Sequence, residues 1–225
     1  MTTPQATQPA QAPQPAQTPQ PAQPTGRVNQ KRRTHAAIVA AAAELMLTGG
    51  EVTMPEVAKA ALVSEATAYR YFPDLASLLS EAMADTLPAP GEALAAVADS
   101  ADPVVRVAAV AEHLARLVLG RQGAVRAMIA ATIVRPGSTV ARPGLRFGLI
   151  DEALRPYAES AGDGEKVQET LVQLKRDLSV VMGAEALFSL MDLNGLAPEE
   201  AVASIVRTAT MLTRAMLTRA ALVTG

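Results

Sequence analysis

Residues 53 to 72, TMPEVAKAALVSEATAYRYF, constrain the fold of this chain more than any other stretch. Thr53 is placed to cap a helix whose apolar positions, Met54, Val57, Ala58 and Ala61, share one face. Pro55 falls in the first turn, where a missing N–H breaks no hydrogen bond. Ser64 offers a second N-cap, and Glu65 to Phe72 supply about two further turns. The spacing therefore predicts helix, tight turn, helix, the shape that lays a recognition helix in the major groove of DNA.

Aromatic content sharpens the reading. The chain has no Trp, three Tyr and three Phe, and Tyr69, Tyr71 and Phe72 are half of those six rings. A two-turn helix cannot bury all three rings and Arg70 against one core. Helical spacing turns Val63, Ala68 and Phe72 inward and leaves Thr67, Tyr69, Arg70 and Tyr71 partly or wholly outward. Tyr hydroxyls and Arg are good phosphate donors, and a Ser or Thr cap leaves backbone N–H groups facing an anion. The competing reading is a helical hairpin whose rings only seal a core.

On these residues the stretch Lys31 to Leu79 resembles the DNA-binding domain of the tetracycline-repressor (TetR) family of bacterial transcriptional regulators. The resemblance begins with Arg33-Thr34, Ile38 and the Ala41-Ala42 pair in a first helix, followed by Leu45, Leu47 and Gly49-Gly50. It continues through Thr53, Val57-Ala58, Ala61-Leu62-Val63-Ser64 and Tyr69-Arg70-Tyr71-Phe72, and ends on Leu78-Leu79 in a fourth helix starting at Pro73-Asp74. Two positions depart from the family pattern. Leu62 stands in the turn where the family has Gly, and Leu75 stands where it has a phosphate-contacting Lys. The resemblance implies an all-α fold, with an N-terminal three-helix helix-turn-helix domain and a larger helical domain for ligand binding and dimerisation. It implies DNA contacts from Arg33, Thr53, Ser64, Glu65, Ala66, Thr67, Tyr69, Arg70 and Tyr71. Glu65, Ala66 and Arg70 are then closest to base edges.

Charge is arranged to suit. The net charge is only −2, so nucleic-acid contact has to come from local placement of bases. Arg27, Lys31, Arg32 and Arg33 precede the first acid, Glu44. Beside a helix-turn-helix they read as a flexible basic arm for phosphates or the adjacent minor groove, and otherwise as the solvated start of the first helix. Residues 1–26 alternate Pro, Gln, Ala and Thr without charge until the basic cluster, which predicts a disordered, polyproline-like tail and not a signal peptide. The chain has no Cys, which fits a reducing, cytoplasmic setting and rules out disulfides and thiolate sites.

Domain boundaries are expected at residues 30–90 and 91–225, because Pro88, Pro90 and Gly91 end the fourth helix, drawn from Asp74 to about Leu87. Beyond them the periodicity predicts helices from Pro103 and from Ala124 to Val134, another from Leu145 to Tyr157 disturbed at Pro156, and two long ones. The first long segment runs from Glu165 to Leu193 and the second follows Pro198. Together these two carry more apolar surface than one hairpin buries, and Gly183, Ala184 and Ala186 would permit close approach. The family resemblance adds that dimers form through the last two helices, so a homodimer is expected.

Catalytic constellations are absent from the sequence. His35 and His113 are isolated, and no metal-ligand spacing occurs, so neither enzyme activity nor a metal or other cofactor is expected. No apolar run approaches a membrane span. Glu185 interrupts an apolar run and reads either as a pocket carboxylate or as a rim or interface ion pair. The resemblance implies an effector pocket among the middle helices, with Met83, Val110, His113, Leu114, Arg126, Met128 and Phe147 as lining residues and a largely apolar small molecule as ligand. The expected function is a dimeric repressor that leaves double-stranded operator DNA when that ligand binds. The alternatives are a helical interaction module and an effector-independent DNA binder.

Overall fold

In the computed structural model the described residues are 26–224 apart from 85, 88, 135–143 and 163, and only the backbone is described for Arg27 and 221–224. Residues 1–25 of the expected N-terminal tail therefore lie outside the described residues, and Gly26 is helical. Among the described residues there are ten α-helices, a 3₁₀ turn at Glu92–Val97 and no strand. None of these helices is by itself long and apolar enough to cross a membrane.

Helices α1 (Gly26–Met46), α2 (Met54–Ala60), α3 (Glu65–Tyr71) and α4 (Leu75–Ala84) surround the first core. Ile38, Ala41, Ala42 and Met46 recur every three or four residues along α1, so one stripe is buried against Val57, Ala68, Phe72, Leu78 and Leu79. Asp74 caps α4 by accepting hydrogen bonds from the Ser77 N–H at 2.8 Å and the Ser77 hydroxyl at 2.6 Å. Two expectations change here. The basic segment is the first two turns of α1 and not a flexible arm, since Lys, Arg and Gln are good helix formers and nothing interrupts them. Helix α4 ends at Ala84, three residues before Leu87.

The second core is built around α5 (Pro103–Gly120), which packs on α7 (Leu145–Ala161) and α10 (Pro198–Thr224). Helix α8 (Glu165–Val181) closes it with Leu171, Leu174 and Leu178. The long segment expected from Glu165 to Leu193 is two helices. Gly183 has extended backbone, φ −72° and ψ 152°, and starts α9 (Ala184–Asp192). Leu187 and Phe188 on α9 are buried within the same chain.

The two cores do not separate at residue 90. Helix α6 (Gln122–Val134) leaves α5 at 90° and inserts Ala124 and Met128 into the first core. Its first turn lies directly on the α1–α2 loop, where a Cβ built on Gly123 would fall on the carbonyl of Gly50. Only a residue without a side chain allows that approach.

Helix α7 continues through Pro156 for another turn, where a break near Tyr157 was expected. Pro156 has no N–H to give the carbonyl of Glu152, four residues back. Arg106, only 3% exposed, supplies the missing donors. Its Nη2 donates to the Glu152 carbonyl at 2.9 Å and its Nε to the Ala153 carbonyl at 3.0 Å. Nη1 donates to the Ser100 carbonyl at 3.3 Å, and the Glu152 carboxylate lies 3.8 Å from Nη2. The guanidinium thus stands in for the broken rung of α7. Arg106→Met should cost about 3 kcal/mol in urea unfolding, because it strands buried carbonyls. Adding Pro156→Ala should recover about 1 kcal/mol by returning an N–H to Glu152. Equal costs for Arg106→Met with Pro or Ala at 156 would disprove the pairing.

Candidate nucleic-acid interface and cavity

Helix α2 ends in a Schellman turn. The Val63 N–H donates to the Ala58 carbonyl at 2.9 Å, and the Leu62 N–H to the Lys59 carbonyl at 3.2 Å. That pattern forces the residue between the helices into left-handed backbone, and Leu62 takes it with φ 56° and its side chain 93% exposed. The departure from glycine noted in the sequence is therefore met by strain, about 1–2 kcal/mol for an L-residue, and not by a different turn.

The caps are those expected, but they use their hydroxyls differently. Thr53 forms a full capping box. Its Oγ1 accepts from the Glu56 N–H at 3.4 Å and donates to Glu56 Oε2 at 2.9 Å, while the Thr53 N–H donates to the same oxygen at 3.1 Å. A hydroxyl already given to a carboxylate is a poor phosphate donor, so Thr53 positions α2 and its expected DNA contact is not available in this arrangement. Ser64 accepts from the Thr67 N–H at 3.2 Å, and the Ser64 and Thr67 hydroxyls lie 2.9 Å apart. Whichever of the two donates to the other, the second keeps its proton for an outside acceptor.

On α3, Ala68 and Phe72 face inward, and Glu65, Ala66, Tyr69 and Arg70 face solvent. Arg70 lies 5.8 Å from the Tyr71 ring centroid. Tyr71 is half-buried and closes a concave surface shared with Asn29, Lys31, Arg32, Arg33 and His35 of α1. The His35 ring packs 4.9 Å from that of Phe72, and its Nε2 lies 3.5 Å from Glu81 Oε1, tying α1 to α3 and α4. Among the described residues, three bases and no acid line this concavity. They sit at the N-terminal end of α1, where the helix has no acid in its first turn and its dipole adds positive potential. Like charge at that end does not stabilise the helix; it makes the surface a place for an external anion. Leu75, in contrast, packs half-buried on the first core.

Residues 38–82 match the family model for bacterial regulatory proteins of the tetR family. Its N-terminal helices thus form a domain of the tetR type. A crystal structure of a TetR transcriptional regulator from Rhodococcus sp. RHA1 is 28% identical, with 81% of this chain and 97% of that chain aligned and a TM-score of 0.51. A crystal structure of RolR in complex with resorcinol aligns at 20% identity over 83% of this chain and 95% of that one, with a TM-score of 0.44. Among curated proteins there is no match. TetR-family regulators are generally DNA-binding and non-enzymatic.

Beyond that domain the chain forms a half-open cavity of about 100 Å³ where α4, α5, α6, α7 and the α8–α9 junction meet. Leu114, Leu117 and Val118 of α5, Val125, Met128 and Ile129 of α6, and Met83 and Leu87 beside α4 supply most of its wall. Of the residues expected from sequence, the cavity brings together Met83, Leu114 and Met128. The other four lie elsewhere. Val110 is wholly buried one turn away on α5, and His113 is absent from the wall. Phe147 is 52% exposed and lines a groove between α7 and α8. Arg126 donates to both oxygens of Asp192, at 2.6 and 2.8 Å, and stacks 3.9 Å from the Phe188 ring centroid. That hydrogen bonding holds the Asp192 carboxyl below the ordinary carboxylate range.

Glu185 lines the cavity and also pairs with Arg146, at 3.5 Å. Gly183 is buried against that pair, since a Cβ there would lie 2.9 Å from Arg146 Nη1 and 3.0 Å from Glu185 Oε2. It is thus part of the cavity wall. Sequence reasoning missed Arg121, which also lines the cavity; its only signal was a charge in the short break between α5 and α6.

Leu62→Gly should raise stability by up to about 1 kcal/mol in urea unfolding, the relief of left-handed strain less glycine's extra unfolded-state freedom. Thr53→Val should lower it by about 1 kcal/mol through loss of the capping box. An unchanged or lower midpoint for Leu62→Gly would show that the exposed leucine makes a stabilising contact.

Proposed function

We propose that the protein is a homodimeric, ligand-responsive transcriptional regulator, most simply a repressor. In this reading residues 30–90 bind double-stranded operator DNA and residues 91–225 carry the effector site and the dimer interface. The observation that carries it is the concavity, lined by bases and by no acid among the described residues, in which the basic end of α1 meets Tyr71 beside an α3 face that exposes Tyr69 and Arg70. Tyr69, Tyr71 and the Ser64–Thr67 pair then grip phosphates with Arg33, and Arg70, Glu65 and Ala66 enter the major groove. Such a regulator works where the chromosome is, in the cytoplasm.

Support for a switch comes from two methionines. Met83 and Met128 belong to the first core and also to the cavity wall, so a ligand in the cavity pushes on side chains that position α4. Helix α6, which carries Met128, shares that role with α4. Effector and operator then weaken each other's binding by one common factor, about 5- to 150-fold for a coupling of ordinary size. Support for a dimer comes from Val180 on α8 and Met211 on α10, 73% and 62% exposed on the two helices nearest the expected interface.

The operator is found by selection from random duplexes and tested by fluorescence anisotropy at several salt concentrations. Tyr69→Phe should weaken all sequences alike by about 1–2 kcal/mol, as loss of one phosphate contact. Arg70→Ala should cost about 1–3 kcal/mol and relax preference at one position of each half-site. Undiminished affinity in both variants would remove α3 from the groove. In sedimentation velocity, Met211→Glu should shift the protein toward monomer and weaken operator binding in parallel. An unaltered dimer would place the interface off α10.

A further inference from the structure

The cavity holds a charge that nothing among the described residues answers. Its wall is apolar except for Arg121, Arg146 and Glu185. Arg146 and Glu185 pair with each other. Arg121 forms no ion pair among the described residues, and its Nε is buried without a hydrogen-bond partner. A guanidinium does not give up its proton in a protein, and a buried donor without an acceptor is costly. Native structures rarely keep such a donor, and a ligand is a direct reason to keep one. Among the described lining residues, one carboxylate stands against two guanidiniums.

We infer that the effector is a compact monocarboxylate, an apolar body of one ring or a short chain whose carboxylate pairs with Arg121. A carboxylate accepts a guanidinium's parallel N–H groups as a fork, which an amide or alcohol cannot do with charge. An ammonium compound would meet the same positive excess as repulsion. Size follows from volume: a dry cavity of about 150 Å³ takes benzene, and this one is about 100 Å³ before any ligand widens it. Flexible Met83, Met128 and Met182 give the wall room to adjust. The inference rests on the reading of this cavity as the effector site.

The test uses the full-length protein with benzoate, hexanoate and 3-methylbutanoate, each beside its amide and its amine, with thermal shift and titration calorimetry as readouts. At least one acid should bind at millimolar concentration or better, at least tenfold tighter than its amide, and no amine should bind. Arg121→Gln should lower affinity for that acid at least tenfold while leaving the amide unchanged, and Arg121→Lys should restore part of the difference. Should Arg121→Gln fail to fold, Arg121→Lys must still prefer acid to amide while binding the acid more weakly than wild type does. Equal binding of acid and amide, an Arg121→Gln protein that binds the acid as wild type does, or no binding by any of the three acids overturns the inference. Operator affinity of the ligand-free variants is measured alongside. Acid binding through Arg121 without any DNA binding would sink the regulator and keep the ligand, whereas intact, acid-insensitive DNA binding would do the reverse.

Discussion

The first core cannot close on its own helices. Four short helices of about 60 residues bury too small a share of their surface to be more than marginally stable, and α2 and α3 have only seven residues each. Ala124 and Met128 of α6 complete that core. Everything that fixes α6 therefore also fixes the helix-turn-helix: the 90° turn from α5, the glycine contact at Gly50, and the packing of α4 on the same helix. The N-terminal unit is built partly from the C-terminal half of the chain.

That arrangement explains which side chains could serve two masters. A residue in a closed core is surrounded and senses only its own domain. Met83 and Met128 have the first core on one side and a cavity on the other. A polarizable, unbranched side chain suits such a position because it can change rotamer without leaving its neighbours.

Much of the fold was legible because it is written in local signals. The caps at Thr53, Ser64 and Asp74 and the stripe from Ile38 to Met46 are short-range features, and each produced the element it announced. What stayed hidden depends on partners distant in sequence. Apolar periodicity runs across Met182 and Gly183 and hides the α8–α9 break, where Gly183 takes extended backbone beside the Arg146–Glu185 pair. Helix α7 survives Pro156 only because Arg106, some fifty residues earlier, reaches its carbonyls. The cavity shows the same limit. Periodicity names the face of α5 that carries both Val110 and Leu114, but not how far along that face the neighbouring helices part company.

The contact between Gly123 and Gly50 has a mechanical consequence. Side chains give way by changing rotamer, so most interfaces are soft in both directions. Two backbones in van der Waals contact have no such compliance, and repulsion between them rises steeply within tenths of an ångström. The junction is therefore a one-sided stop. The helix-turn-helix can swing away from the α5–α6 corner at the modest cost of lost contacts, but it cannot be driven further toward it. Any rearrangement that starts from this state has its direction chosen before any ligand arrives.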